Sequence, residues 1–124
     1  MARAVTDAEL GVMECLWGQT DGATVRQIVL AVYQRHEHSL HGGVKSLLDR
    51  LMDKGLVVVD KSGFAHRFRA SVSRAEFVGR ELKQMAESHY GGAVGPLLLT
   101  LVQQAGLTRK DRTAIEKLIE RIHE

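Results

Sequence analysis

The chain has 124 residues, 44% of them hydrophobic, which suits one small core with an appendage and is too little for two large domains. Its formal net charge is only +2, so composition alone does not indicate nucleic-acid binding, and a basic surface must come from local clustering. The single cysteine, Cys15, excludes an intrachain disulfide, and without a signal-peptide segment or a bilayer-spanning apolar stretch we expect a cytoplasmic protein with no membrane partner.

Four capping-box patterns mark the starts of helices along the chain. In each pattern a Ser or Thr is followed three residues later by an acidic or amide side chain, so that two unpaired amides are satisfied reciprocally. Apolar residues at helical spacing follow each pattern, which predicts helices over about 7–17, 25–35, 74–90 and 109–123. The four pairs are Thr6 with Glu9, Thr24 with Gln27, Ser73 with Glu76 and, more loosely, Thr108 with Asp111.

Another amphipathic helix is predicted within the segment HSLHGGVKSLLDRLMDKGLV, residues 38–57. Gly42 and Gly43 precede its apolar stripe, and each glycine costs about 1 kcal/mol in a helix interior. We therefore expect the pair to open the helix, either to let backbone amides approach a phosphate or simply as the end of a loop. The stripe consists of Val44, Leu47, Leu48, Leu51 and Met52.

Two short β-type segments, 56–60 and 64–70, come next and are joined by the sequence KSG. Phe64, His66 and Phe68 alternate with other residues, which is typical of a hairpin with one packed face. Because an isolated two-stranded ribbon is marginal in water, it must lie on the preceding helices. Three helices followed by a ribbon is the plan of a winged helix-turn-helix, whose third helix enters the major groove.

The remaining chain is predicted to form three helices, over 74–90, 93–104 and 109–123. A three-helix appendage of about 50 residues rarely has an adequate core, so we expect a homodimer. The predicted fold is mostly α with a small β-hairpin wing, in which a winged-helix DNA-binding domain (1–71) precedes a helical dimerisation domain (72–124). The predicted dimerisation residues are Phe77, Val78, Leu82, Met85, Val94, Leu97, Leu98, Leu101, Val102, Ile115, Leu118, Ile119 and Ile122.

The predicted DNA contacts come from the second and third helices and the wing. Lys45 can donate to guanine acceptors or to phosphates, whereas cations on the wing neutralise phosphates without reading sequence. Exposed polar residues on α-helices can also be simply solvated, and edge strands often carry lysine to prevent aggregation. The sequence therefore leaves both DNA contact and a purely solvated surface open for these residues. The candidate residues are Thr24, Arg26, His41, Gly42, Gly43, Lys45, Ser46, Arg50, Lys61, Arg67 and Arg69.

Other chemistry has little support in the sequence. His36, His38 and His41 have a spacing that can gather a divalent metal, but they lack acidic or cysteine partners, and we interpret them as solvated loop residues. Cys15 is interpreted as a small buried apolar residue. Because no catalytic triad, phosphate-binding loop or carboxylate pair is evident, we predict no enzymatic activity and no cofactor.

Five segments of the chain resemble, in sequence and in order, segments of a known protein family. They are TDAELGVMECLW, ATVRQIV, LLDRLMDKGLV, HRFRASVSRAEFVGREL and GGAVGPLLLTLVQQAGLTRKDRTAIEKLIERI, and they cover nearly the whole chain. Together they resemble the penicillinase-repressor (BlaI/MecI/CopY) family. The resemblance implies a dimeric winged-helix repressor that binds a palindromic operator in double-stranded DNA.

The chain departs from the family pattern at three places. The usual Tyr-Thr-Thr at the start of the recognition helix is replaced by His41, Gly42 and Gly43, so specificity is expected to rest on His41, Lys45 and Ser46. The Asn-Phe bond that is cleaved in β-lactam-responsive members corresponds to Thr100 and Leu101, and the Cys-x-Cys motifs of copper-responsive members are absent. These changes and the low net charge leave a second interpretation open, a winged-helix protein-interaction module without DNA binding.

Overall fold

The computed structural model describes residues 5–122, which fall into two compact units that meet in sequence between Gly79 and Arg80. The elements are α1 (Asp7–Trp17), α2 (Val25–Tyr33), α3 (His41–Asp53), β1 (Val57–Asp60), β2 (Arg67–Ala70), α4 (Arg74–Tyr90), α5 (Val94–Ala105) and α6 (Arg109–Ile122). A short 3-10 turn, His38–Leu40, precedes α3. The first unit contains helices α1 to α3, the two strands and the first residues of α4; the second contains the rest of α4 with α5 and α6.

All four predicted capping boxes are present. At α1 the Thr6 hydroxyl accepts from the Glu9 amide at 3.1 Å, and the Glu9 carboxylate accepts from the Thr6 amide at 2.9 Å. The same reciprocal bonds start α2, α4 and α6. Because each box acts over only three residues, the sequence alone locates these helix starts.

The core of the first unit is built from the apolar faces of three helices. α1 contributes Val12, Met13 and Leu16, while α2 contributes Ile28 and Val29. Four of the five predicted stripe residues of α3 are buried, and Met52 is half-buried. Burying one face of α3 fixes its rotation, so that its opposite face points to solvent.

The wing is an antiparallel pair in which Val57 lies opposite Ala70 and Asp60 lies opposite Arg67. Ala23 adds a single bridge to this sheet, since its amide and carbonyl bond to the carbonyl and amide of Phe68 at 2.9 and 2.8 Å. These bonds and the buried Phe68 ring fasten the base of the wing to the segment that precedes α2. The three helices, the turn between α2 and α3, and this ribbon form a winged helix-turn-helix, as predicted.

The predicted second strand, 64–70, was too long, because β2 begins only at Arg67. Asp60 closes a turn by accepting from the amide and the hydroxyl of Ser62 at 2.9 and 2.6 Å, which directs the chain away from the ladder. Residues 61–66 therefore form a loop. Of the predicted packed face only Phe68 is buried, while Phe64 and His66 are exposed.

Phe77 belongs to the core of the first unit. Its ring packs against Trp17 with 5.4 Å between centroids, and the Trp17 indole donates to the carbonyl of Val72 at 3.0 Å. Phe77 is buried, so its side chain is not available to a second protein. The start of α4 thus completes the first core.

The second unit has little core of its own. Among its described residues, 80–122, only Ala86 is buried. The Tyr90 hydroxyl lies 2.6 Å from that of Thr100, which in turn donates to the carbonyl of Pro96 at 2.9 Å. Among residues 5–122, no helix combines the length and apolar character needed to cross a membrane.

Candidate nucleic-acid interface

The outer face of α3 carries Lys45, Ser46 and Asp49, all exposed, as the helical periodicity predicts. The opposite face of α3 is packed in the core, which fixes the helix backbone. These side chains therefore project into solvent from a fixed position. Lys45 and Ser46 offer an ammonium and a hydroxyl, which can bond to base edges or phosphates. Asp49, one turn further along, repels phosphate and limits the cationic part of this face.

Gly42 and Gly43 lie in the first turn of α3, directly after His41 in the sequence. A methyl group added at either position would meet no atom within 4 Å, and neither glycine has a positive φ. Packing inside the protein therefore does not require glycine here. The space beside this turn is open to a ligand, and both interpretations of the pair remain predictions.

Three imidazoles cluster where α3 begins. The Nε2 atoms of His36 and His41 are 2.9 Å apart, and the His38 and His41 rings are 5.1 Å apart between centroids. Partial desolvation lowers the pKa of His41, and the nearby His36, His38, Lys45 and Arg26 lower it further. Within residues 5–122, no three or more His, Cys, Asp or Glu side chains are arranged to hold a metal ion.

Arg26 and Thr24 lie at the start of α2. Arg26 is exposed, and its positive charge is one of several that lower the pKa of His41, the first residue of α3. Thr24 is the N-cap of α2 and its hydroxyl accepts from the Gln27 amide at 3.2 Å, which is the structural role the capping pattern predicted. Of these two residues, Arg26 is linked electrostatically to the start of α3, whereas Thr24 serves as a helix cap.

Arg50 faces a carboxylate of its own protein. Its Nε atom lies 3.8 Å from Glu9, whose side chain is fully buried and accepts two bonds from the Lys54 ammonium at 2.7 and 2.9 Å. Burial opposes the ionisation of Glu9, but the bonds from Lys54 and Thr6 outweigh burial and lower its pKa. This ion pair links the start of α1 to the end of α3. The capping pattern predicts only the role of Glu9 at the helix start, because its partner Lys54 lies 45 residues away in the sequence.

The wing supplies three exposed cations, Lys61, Arg67 and Arg69. Arg67 donates to the carbonyl of Gly22 at 3.4 Å, and Arg69 packs so closely on Gly22 that a methyl group there would lie 2.8 Å from its Cγ atom. Gly22, with φ +83°, is thus required by both conformation and space. The wing also carries Asp60, whose pKa is lowered by the bonds from Ser62 and then by Arg69 and Arg67.

The predicted dimerisation residues of α4 to α6 are mainly exposed. Leu97 is half-buried, and Phe77 is the one member of the set that is buried. Leu99 and Leu107 are also exposed, although the helical stripes did not include them. The exposed members are Val78, Leu82, Met85, Val94, Leu98, Leu101, Val102, Ile115, Leu118, Ile119 and Ile122.

Cys15 is half-buried against the first core, and burial raises the pKa of its thiol. A thiol with a raised pKa is a poor nucleophile at neutral pH, because little of it is thiolate. This environment agrees with the predicted role of Cys15 as a small apolar residue, although its burial is only partial.

Comparison with known proteins identifies the family. Residues 5–121 match the family described as Penicillinase repressor. Transcriptional regulator BlaI from Mycobacterium tuberculosis, in strains CDC 1551 / Oshkosh and ATCC 25618 / H37Rv, is 31% identical over 115 residues, covering 90% of this chain and 83% of the relative.

A solved structure of BpsR from Bordetella bronchiseptica, whose DNA binding is regulated by 6-hydroxynicotinic acid, aligns with a TM-score of 0.45 and 19% identity. The alignment covers 96% of this chain and 80% of BpsR. That TM-score is too low to support any inference from BpsR. The match over residues 5–121 and the relatives at 31% identity suffice, and the chain belongs to the penicillinase repressor family of transcriptional regulators, which are not enzymes.

Proposed function

We propose that the protein is a sequence-specific DNA-binding repressor that acts in the cytoplasm as a homodimer on a pseudo-palindromic operator. The observation that carries this proposal is the exposed polar face of α3, rotated outward by its buried stripe, in the same compact unit as the cationic wing. A helix presented in this way fits the major groove, while wing cations fit the phosphate backbone. Bound at a promoter, the protein would block transcription sterically.

The chemistry of α3 supports a division of tasks. Lys45 and Ser46 project from a helix whose backbone is held, so their bonds to base edges would discriminate sequence. Arg26, Lys61, Arg67 and Arg69 would neutralise phosphates and release counterions, which makes binding sensitive to salt.

The second unit supports self-association. Its helices leave leucines, isoleucines and valines in water, and among the described residues of this unit only Ala86 is buried. Many exposed apolar side chains at helical spacing are typical of a protein interface. A two-fold dimer would present two copies of α3, with half-site centres about one or two helical turns apart, at multiples of roughly 34 Å.

The test is fluorescence anisotropy of the full chain on the DNA upstream of its own gene and on a scrambled duplex of equal length, titrated across salt. We expect preference for the natural sequence to persist as salt rises, and sedimentation of the free protein to give twice the chain mass of 13.7 kDa. Equal, salt-fragile binding to both duplexes would contradict sequence-specific recognition at that DNA. Absence of binding even at low salt would favour the protein-interaction module instead.

A further inference from the structure

We propose that Phe64, at the tip of the wing, inserts between base pairs from the minor groove and acts as an apolar wedge that helps to deform the operator. The inference rests on the proposed DNA binding and adds to it a contact that is neither a base-edge hydrogen bond nor a phosphate contact.

The first observation is the exposure of the ring. Phe64 has a relative accessibility of 109%, so the protein covers none of its surface. Phe68, the other phenylalanine of the hairpin, is buried at the base of the wing. An uncovered aromatic ring gives the folded chain no burial energy, and its burial by a partner would be favourable.

The second observation is the charge around the ring. Between residues 60 and 69 the wing has Lys61, Arg67 and Arg69 against a single acidic residue, Asp60. This surplus of positive charge is complementary to a polyanion and unsuited to an apolar or cationic protein surface. Because the inference rests on the proposed DNA binding, the polyanion that would cover this ring is duplex DNA.

The third observation is that the wing is held firmly at its base. Phe68 exchanges two backbone bonds with Ala23, Arg67 donates to Gly22, and Asp60 fixes the turn by its bonds to Ser62. Such support keeps the wing backbone in place, so that binding costs less ordering entropy of the backbone. The four-residue strands carry the loop about 13 Å from the base of the sheet.

The length of the wing is of the same order as the groove spacing of B-DNA. With α3 in a major groove, the next minor groove on the same face of the duplex lies half a turn away, roughly 17 Å. Phenylalanine is among the side chains that proteins insert between base steps from the minor groove, which unstacks the step and kinks the duplex. Flexible pyrimidine–purine steps would then be favoured beneath the wing although no side chain bonds to them.

The experiment uses the full chain and a duplex that it selects from a randomised 40-bp library. 2-Aminopurine is placed in turn at each position around the half-sites, and affinity and fluorescence are measured for the wild type, Phe64→Ala, Phe64→Leu and Val58→Ala. Phe64→Leu keeps an apolar wedge, and Val58→Ala removes another exposed apolar side chain from the same hairpin.

We expect Phe64→Ala to weaken binding about tenfold or more and to abolish a fluorescence change confined to one step per half-site. Phe64→Leu should retain most of the affinity and most of the fluorescence change. The affinity of Val58→Ala should stay within about twofold of that of the wild type. If Phe64→Ala binds as tightly as the wild type with an unchanged fluorescence profile, the wedge is refuted while DNA binding stands. If the wild type selects no duplex, both proposals fail, and if Phe64→Ala alters only the sedimenting mass, the ring serves a contact between copies.

Discussion

The ion pair of Glu9 with Lys54 allows a quantitative prediction for the substitution Lys54→Met. The Glu9 side chain is fully buried and that of Lys54 is only 12% exposed, with two bonds of 2.7 and 2.9 Å between them. Methionine keeps the length of the side chain and removes its charge, so the Glu9 carboxylate is left buried without its main partner.

Removal of one member of a buried pair costs about 3 to 5 kcal/mol, because the other charge loses its compensation. Two contacts remain to Glu9, the Thr6 amide at 2.9 Å and Arg50 at 3.8 Å, which places the expected loss near the lower limit, about 3 kcal/mol. With a urea dependence of about 1.5 kcal/mol per molar for a small unit, the unfolding midpoint should fall by about 2 M.

Urea unfolding followed by Trp17 fluorescence is the assay, because Trp17 is the only tryptophan and lies in the first unit. The control is Arg35→Met, which breaks an exposed pair with Glu37 whose side chains are 63% and 50% exposed, and we expect a change within about 0.5 kcal/mol. The double variant Glu9→Gln with Lys54→Met should recover most of the loss, since glutamine can still cap Thr6. A Lys54→Met midpoint no lower than that of Arg35→Met would refute the reasoning.

The pH dependence has a definite sign. The pKa of Glu9 is lowered in the folded protein, so the stability from this pair is present above the ordinary glutamate pKa and is lost as pH falls through the lowered value. In Lys54→Met fewer hydrogen bonds oppose the effect of burial on the Glu9 carboxylate. Protonation of Glu9 then removes the buried negative charge that has lost its partner. The difference between the two proteins should therefore be largest near pH 7 and smaller near pH 4.

The remaining predictions concern the proposed DNA and dimer surfaces. In anisotropy titrations Lys45→Ala should weaken binding to a selected duplex by about 1 to 3 kcal/mol, whereas Lys61→Ala should weaken specific and random DNA alike and flatten the salt slope; equal effects of both on random DNA would remove the base-reading role of Lys45. Gly43→Ala should raise the free energy of unfolding by no more than about 0.5 kcal/mol, because the added methyl group meets nothing within 4 Å and the position lies in the first turn rather than in the helix interior. The same change should lower DNA affinity, and unchanged affinity would favour the plain loop-end interpretation. Leu118→Glu should halve the sedimenting mass, while Lys117→Glu, with the same carboxylate at an exposed neighbouring position, should leave a dimer; a dimer in both would contradict the apolar interface.

What could be predicted from the sequence follows the range of the interactions involved. Thr24 with Gln27 acts over three residues, and the stripe of α3 repeats every three or four, so helix starts and buried faces are contained in short segments. The bond between Glu9 and Lys54 spans 45 residues, and no local pattern indicates it. The prediction of strand residues before Arg67 was wrong for a related reason. Alternation of side chains does not reveal that a turn at Asp60 takes the following residues out of the strand pair.

The candidate site combines these two kinds of information. Periodicity is sufficient to predict that Lys45 and Ser46 face outward, because the opposite side of α3 must be buried. It cannot indicate that Arg50, on the same helix, lies beside a buried carboxylate, and this proximity weakens the case for Arg50 as a phosphate contact. The end of α3 is therefore held by Glu9 through Lys54, while its first turn, with Gly42 and Gly43, has open space beside it. A helix that is fixed at one end and has open space beside its first turn is suited to the proposed entry into a groove by its N-terminal residues, which is how recognition helices contact base edges.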